Sequence, residues 1–260
     1  MRAGWNPGRR NRNVGTKAHG HGTDNKLVIP EARHEHRRFY ELLSSYVVVK
    51  HRVGDTELRF LIEPTRSGWF YPCTVDDICC MLSHLPSEHV ATFDMVVMRQ
   101  PTRKQRVLSA VWGRAVFVFD TPDFSGAAIV LEAQTVEPLA WPISLSPERM
   151  RELDRLRGDG HEIHKAKRRF EISPTPDSLR NTVLYRTLLH ELGHHVDHSG
   201  RSAQEWEGRT PTEREDYAHR YAAVMLERLQ QLGVMPFSQR IDEEALLKDG
   251  LKPGWFNAAL

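Results

Sequence analysis

From residue 176 to 198 apolar side chains recur every three or four positions with no proline after Pro176, which predicts one long helix. Pro176-Asp177-Ser178 supplies its start, as a stop to the extended segment before it and an N-cap, and Ser199-Gly200 supplies its stop. On a helical projection Leu184, Tyr185, Leu188, Leu189, Leu192 and Val196 cover most of the circumference. Val183, Thr187, His190, His194 and Asp197 share the remaining strip. A second helix opens at Thr210-Pro211-Thr212-Glu213, a capping box with proline at the first helical position, and runs to Gly233 ahead of Pro236. Its inward stripe is Ala218, Ala222, Met225, Leu226 and Leu229.

Upstream the period changes. Strand-like runs fall at 45–50, 57–63, 94–99, 115–119 and 127–132, with a polar helix at 31–44 and a short helix near 75–85. Val116–Phe119 and Ala128–Leu131, joined through Thr121-Pro122-Asp123-Phe124-Ser125-Gly126, form a hairpin pattern. Residues 146–157 read as a charged helix before the Gly158-Asp159-Gly160 turn. The expected fold class is α+β: a mixed α/β lobe at 30–145 and a helical region at 146–260, with 30–260 also compatible with one compact domain. Residues 1–29 are Gly/Asn/His-rich and carry Arg2, Arg9, Arg10, Arg12, Lys17 and Lys26 against the single acid Asp24, the composition of a disordered basic tail.

A length of 260 residues, 40% of them apolar, is ample for a sizeable core. The net charge of +2 selects no partner, and the tail lacks the aromatic interleaving of a nucleic-acid binder, so nucleic acid is not an expected partner. No apolar run reaches the roughly 18 residues of a membrane span and the N-terminus has no signal-peptide core, so a soluble, cytoplasmic protein with no membrane partner is expected. Cys73, Cys79 and Cys80 lack zinc-finger spacing and read as reduced core thiols. The basic stretch Gln100–Arg106 reads as a solvated loop, and His161 and His164 as surface histidines.

The first helix carries the chemistry. His190-Glu191-Leu192-Gly193-His194 is an HExxH sequence, in which two imidazoles one turn apart can reach one Zn²⁺ while the glutamate lies beside it. By residue frequency an accidental HExxH arises in about one such chain in twenty, so the buried helix around it carries the case. Two core histidines satisfied by hydrogen bonds are the alternative. Gly193 costs about 1 kcal/mol relative to alanine inside a helix, which points to close approach by a neighbouring backbone.

Catalytic zinc takes three protein ligands and keeps one position open. Glu215 lies in the middle of the second helix's inward stripe, where an unpaired carboxylate is costly, and is the best third ligand; an ordinary first-turn glutamate favoured by the helix dipole is the alternative. His198 is about 12 Å along the axis from His190, too far to share an ion with it and His194. Gly200 stands where the longer HExxHxxGxxH arrangement needs its third histidine.

The pair of segments His190-Glu191-Leu192-Gly193-His194 and Glu215-Asp216-Tyr217-Ala218-His219-Arg220-Tyr221-Ala222 resembles the HELGH…ExxA(D/N)x(F/Y)A pattern of gluzincin metallopeptidases. Versions occur in ImmA/IrrE-like and HtpX-like peptidases, and His195-Val196-Asp197 is similar to the continuation in toxin-type gluzincins. The resemblance covers about residues 180–226. It implies a zincin-like fold with an active-site helix and a glutamate helix, one Zn²⁺ per chain on His190, His194 and Glu215, and Glu191 as general base. His219 stands where those families often carry Asp, Asn or Glu.

The expected activity is zinc-dependent hydrolysis of a protein or peptide substrate, Glu191 taking a proton from the attacking water and returning it to the leaving amine. Asp197, one turn beyond His194, either fixes a ligand imidazole's tautomer or is a solvated last-turn aspartate. His219, Tyr217 and Tyr221 are candidate oxyanion donors. Zincin folds bind extended substrate along an edge strand, and the hairpin or Arg169–Ser173 are candidates, each also readable as a buried structural strand. The alternative function is a non-catalytic zinc-binding scaffold acting as a regulatory or interaction module.

Overall fold

In a computed structural model of the chain, residue 43, residues 45–109 and residues 111–258 are described, all within one unit, Tyr40–Leu260. The basic tail and nearly all of the helix expected at 31–44 lie outside the described residues.

A five-stranded mixed sheet is built from β1 (Val47–Val53), β2 (Thr56–Ile62), β3 (Met95–Arg99), β4 (Gly113–Asp120) and β5 (Ser125–Glu132), in the order β1-β2-β3-β5-β4. β2, β3 and β5 run parallel, and the outer strands β1 and β4 run antiparallel to their neighbours. The expected hairpin is present as β4–β5, with Gly113 opposite Leu131 and an irregular register between Val116 and Phe119. Parallel neighbours need crossovers. The β2–β3 connection carries α1 (Val75–Leu82), held by a reciprocal Thr74–Asp77 capping box, and α2 (Ser87–Val90). That between β3 and β4 carries α3 (Arg103–Ser109).

This last helix corrects the solvated loop expected over Gln100–Arg106. Gln100 and Gln105 are buried, and Thr102 and Gln105 exchange side-chain and main-chain hydrogen bonds of 2.7 and 3.2 Å. The positive charges masked an ordinary capping box at a helix start.

A second, antiparallel sheet has the order β6-β8-β7, from β6 (Leu139–Pro142), β7 (Glu162–Lys165) and β8 (Arg169–Ser173). Leu153 and Leu156 of α4 (Pro147–Gly158) pack on Phe170 and Ile172 of β8. With partners on both sides, β8 has no free edge, so Arg169–Ser173 is a structural strand and not a receptor for another chain.

The first long helix runs without a break over 176–199, as α5 (Pro176–Arg180), a π-helical stretch Asn181–Thr187, and α6 (Leu188–Ser199). Its N-cap is Thr175, in a reciprocal box with Ser178, rather than a residue within 176–178. Then come α7 (Ala203–Glu207), α8 (Pro211–Gln231), opened by the expected Thr210–Glu213 capping box, and α9 (Glu243–Lys248).

One core joins Phe60, Ile62, Ile129 and Leu131 of the first sheet to Leu184, Leu188 and Leu192 of the long helix and Tyr221, Ala222 and Met225 of α8. Residues on both sides of position 145 share it. The opposite sheet face buries Leu61, Val97, Val116 and Val130. No helix among the described residues is long and apolar enough to cross a membrane. Cys73, Cys79 and Cys80 are free, and burial pushes the Cys79 thiol up to about 12, which makes it inert.

Candidate metal centre

Three features hold α6 in place. Leu188, Leu189 and Leu192 are fully buried in the core. His195, on the sheet-facing side, places Nε2 3.0 Å from the Ala128 carbonyl of β5, and burial lowers this imidazole to about 4, so it donates there as the neutral ring. At Gly193, an added Cβ would lie 3.0 Å from the Ala218 Cα and 3.1 Å from the Tyr221 Cβ. The expected close approach is thus found, and it comes from α8. Contact at this distance sets Glu215, one turn before Ala218, against the HExxH residues.

There the side chains converge. His190 Nε2 and His194 Nε2 lie 3.2 Å apart, His190 Nε2 is 3.3 Å from Glu215 Oε2, and His194 Nε2 is 3.5 Å from Glu215 Oε1. Burial lowers His194 to about 4, which keeps its ring neutral. Glu215 is lowered from the ordinary carboxylate value, first by its hydrogen bond with His190. The donor set at neutral pH therefore includes the unprotonated ring and ionised carboxylate that metal binding requires.

Glu215 is not buried as its place in the apolar stripe predicted: its side chain is 53% exposed. Position 215 lies just past the first turn of α8, ahead of Ala218, where the buried stripe of that helix begins.

Glu191 is buried, and burial raises its carboxyl to about 7, against the opposing effect of His190. The Ala115 main-chain N–H of β4 lies against it and favours the ionised form. β4 closes one side of the sheet, and no strand lies beyond it among the described residues. The hairpin was expected from sequence, but the contact of Ala115 with Glu191 was not, since nothing in an alanine's identity marks it as a neighbour of the motif.

The remaining candidates go elsewhere, with one exception. Asp197 is buried, not solvated, and its Oδ1 accepts from Arg201 Nε at 2.7 Å and Arg209 Nη1 at 3.0 Å instead of from a ligand imidazole. His198 stacks on Phe117 at 4.3 Å and meets Trp206 edge-on. The Tyr221 hydroxyl pairs with His89 Nδ1 at 3.0 Å, and Tyr217 lies beneath Arg209. His161 is buried against Thr182 rather than lying on the surface, while His164 is exposed. The exception is His219, whose ring lies 4.4 Å from that of His190. Its nitrogen falls within a 4.8 Å cluster with His190 and Glu215, while His190, Glu191 and His194 form another such cluster.

No protein-family model matches this chain, nor does any curated protein or solved structure.

Proposed function

We propose that the chain is a zinc-dependent peptidase of zincin-like, gluzincin type. The observation that carries this reading is the spacing of donor atoms. Ligands about 2.0–2.1 Å from a tetrahedral zinc lie roughly 3.3–3.4 Å from one another; the two imidazole nitrogens here are 3.2 Å apart, and the two carboxylate oxygens of Glu215 straddle them, Oε2 3.3 Å from His190 and Oε1 3.5 Å from His194.

A zinc ion on His190, His194 and Glu215 supplies Lewis-acid polarisation of a carbonyl and makes a water more acidic. Glu191 then has the role of proton acceptor at the attacking water and donor to the leaving amine. Its raised carboxyl value suits it for both steps, and a divalent charge nearby shifts it back towards the ionised form that must act first. The outer strand β4 runs beside Glu191, the place along which an extended peptide would lie.

Metal content of untagged protein, after removal of loosely held ions, tests the reading. About one zinc per chain is expected, lost in His190→Ala, His194→Ala and Glu215→Ala. Glu191→Gln should keep the metal and lose hydrolysis of a peptide library. A folded wild-type protein that takes up no zinc on reconstitution would make His190 and His194 core histidines and end the proposal.

A further inference from the structure

The side chain at position 219 has no counterpart in the three-ligand description. It lies one turn after Glu215 on α8, the same step that separates His190 from His194 on α6. Residues four apart on a helix share a face, so the turn that aims Glu215 at the two histidines aims His219 there too. Its ring packs against that of His190 at 4.4 Å and an interplanar angle of 42°. A ring nitrogen lies within 4.8 Å of the ligand atoms of both His190 and Glu215. The ring makes no hydrogen bond to the described residues, so no protein group among them competes for its lone pair.

On these grounds we propose that His219 is a fourth protein ligand of the metal, giving a three-histidine, one-glutamate donor set. The inference rests on the metal centre proposed above and goes beyond it. An aspartate or glutamate at this place would bring a second negative charge. A neutral imidazole would add a donor without changing the charge of the set. A centre with four protein ligands would take a substrate carbonyl only by releasing one of them or by expanding to five, which zinc tolerates.

The other role open to this ring is outside the coordination sphere. His190 Nδ1 is buried without a hydrogen-bond partner among the described residues, and His219 beside it is placed to orient that ring. The two roles differ in the number of imidazoles on the metal, which X-ray absorption at the zinc edge counts directly.

The experiment is therefore extended X-ray absorption fine structure on the zinc-loaded full chain and on His219→Ala and His219→Gln, with metal content measured on each sample. The expected result is three imidazoles in the wild type and two in both variants, together with weaker retention of zinc against a competing chelator. One zinc with two imidazoles in the wild type, unchanged in the variants, overturns the inference and leaves the three-ligand centre standing. Absence of zinc from the wild type overturns both. A wild-type count of two overturns the inference by itself, so a variant that fails to fold does not rescue the proposal.

Discussion

His161 shows how a single buried ring is held and what it costs. Its Nε2 lies 2.8 Å from Thr182 Oγ1, and the Thr182 hydroxyl spends its proton on Asp159 Oδ2 at 2.7 Å. The imidazole must therefore donate, as the neutral Nε2–H form. Burial lowers its pKa below the ordinary histidine value. In the unfolded chain the ring takes up a proton near pH 6.5, so below that value unfolding is favoured by proton uptake. The contribution is complete above about pH 6.5 and declines as pH falls towards the folded value. Urea unfolding at about pH 7.5 and about pH 5.5 should show a larger loss of stability in the wild type than in His161→Gln; equal losses would show that this ring is not the one responsible. Sequence pointed to His190, Glu191 and His194 because one helical turn is a fixed geometric unit. It misjudged His161, because a histidine between polar neighbours looks solvated until the helix carrying Thr182 is laid over it.

Gly193 links residue to element. Replacing it with alanine raises helix propensity by about 1 kcal/mol, while forcing a methyl into backbone contact costs about 1–3 kcal/mol. The obstruction is the Ala218 Cα, which cannot rotate away as a side chain can. A net loss of stability is expected, with weaker zinc retention, because α8 must shift and carry Glu215 with it. Chemical denaturation and metal content on Gly193→Ala would check both, and an unaltered variant would show that the helices have slack. The two helices were readable from their periodicity and caps, and the main strands from β-branched and apolar runs. The second sheet escaped notice because β6 and β7 are four residues each and largely exposed, too short for alternation to register. The π-helical stretch before the motif was equally hidden, since one extra residue per turn leaves hardly a trace in an apolar pattern.

For the molecule as a whole, the centre joins α6 to α8, and the core joins both to the sheet. A metal that binds only the folded chain stabilises it by mass action, about 2.7 kcal/mol at a free concentration a hundred times the dissociation constant. Unfolding midpoints should rise with added zinc in the wild type and stay level in His190→Ala; a rise in both would place the stabilising ion elsewhere. An α+β architecture could be foreseen from the order of strands and helices. The sequence left open whether 30–145 and 146–260 were two lobes or one compact domain, because which faces meet depends on crossovers rather than on local pattern.

The outer margin of β4 is where this architecture meets its surroundings. An unpaired strand adheres to any extended chain, including another copy of the same protein. Between Val116 and Phe119 the ladder slips out of register, and Val118 within that stretch and Asp120 after it are exposed, so the irregular half makes a poor template. The regular half, Gly113–Val116, is the part next to Glu191. On this strand the regular stretch is thus the one that the proposed chemistry would use. Crowded copies would compete with substrate for the same rungs, so self-association at this margin and peptide hydrolysis would be mutually exclusive.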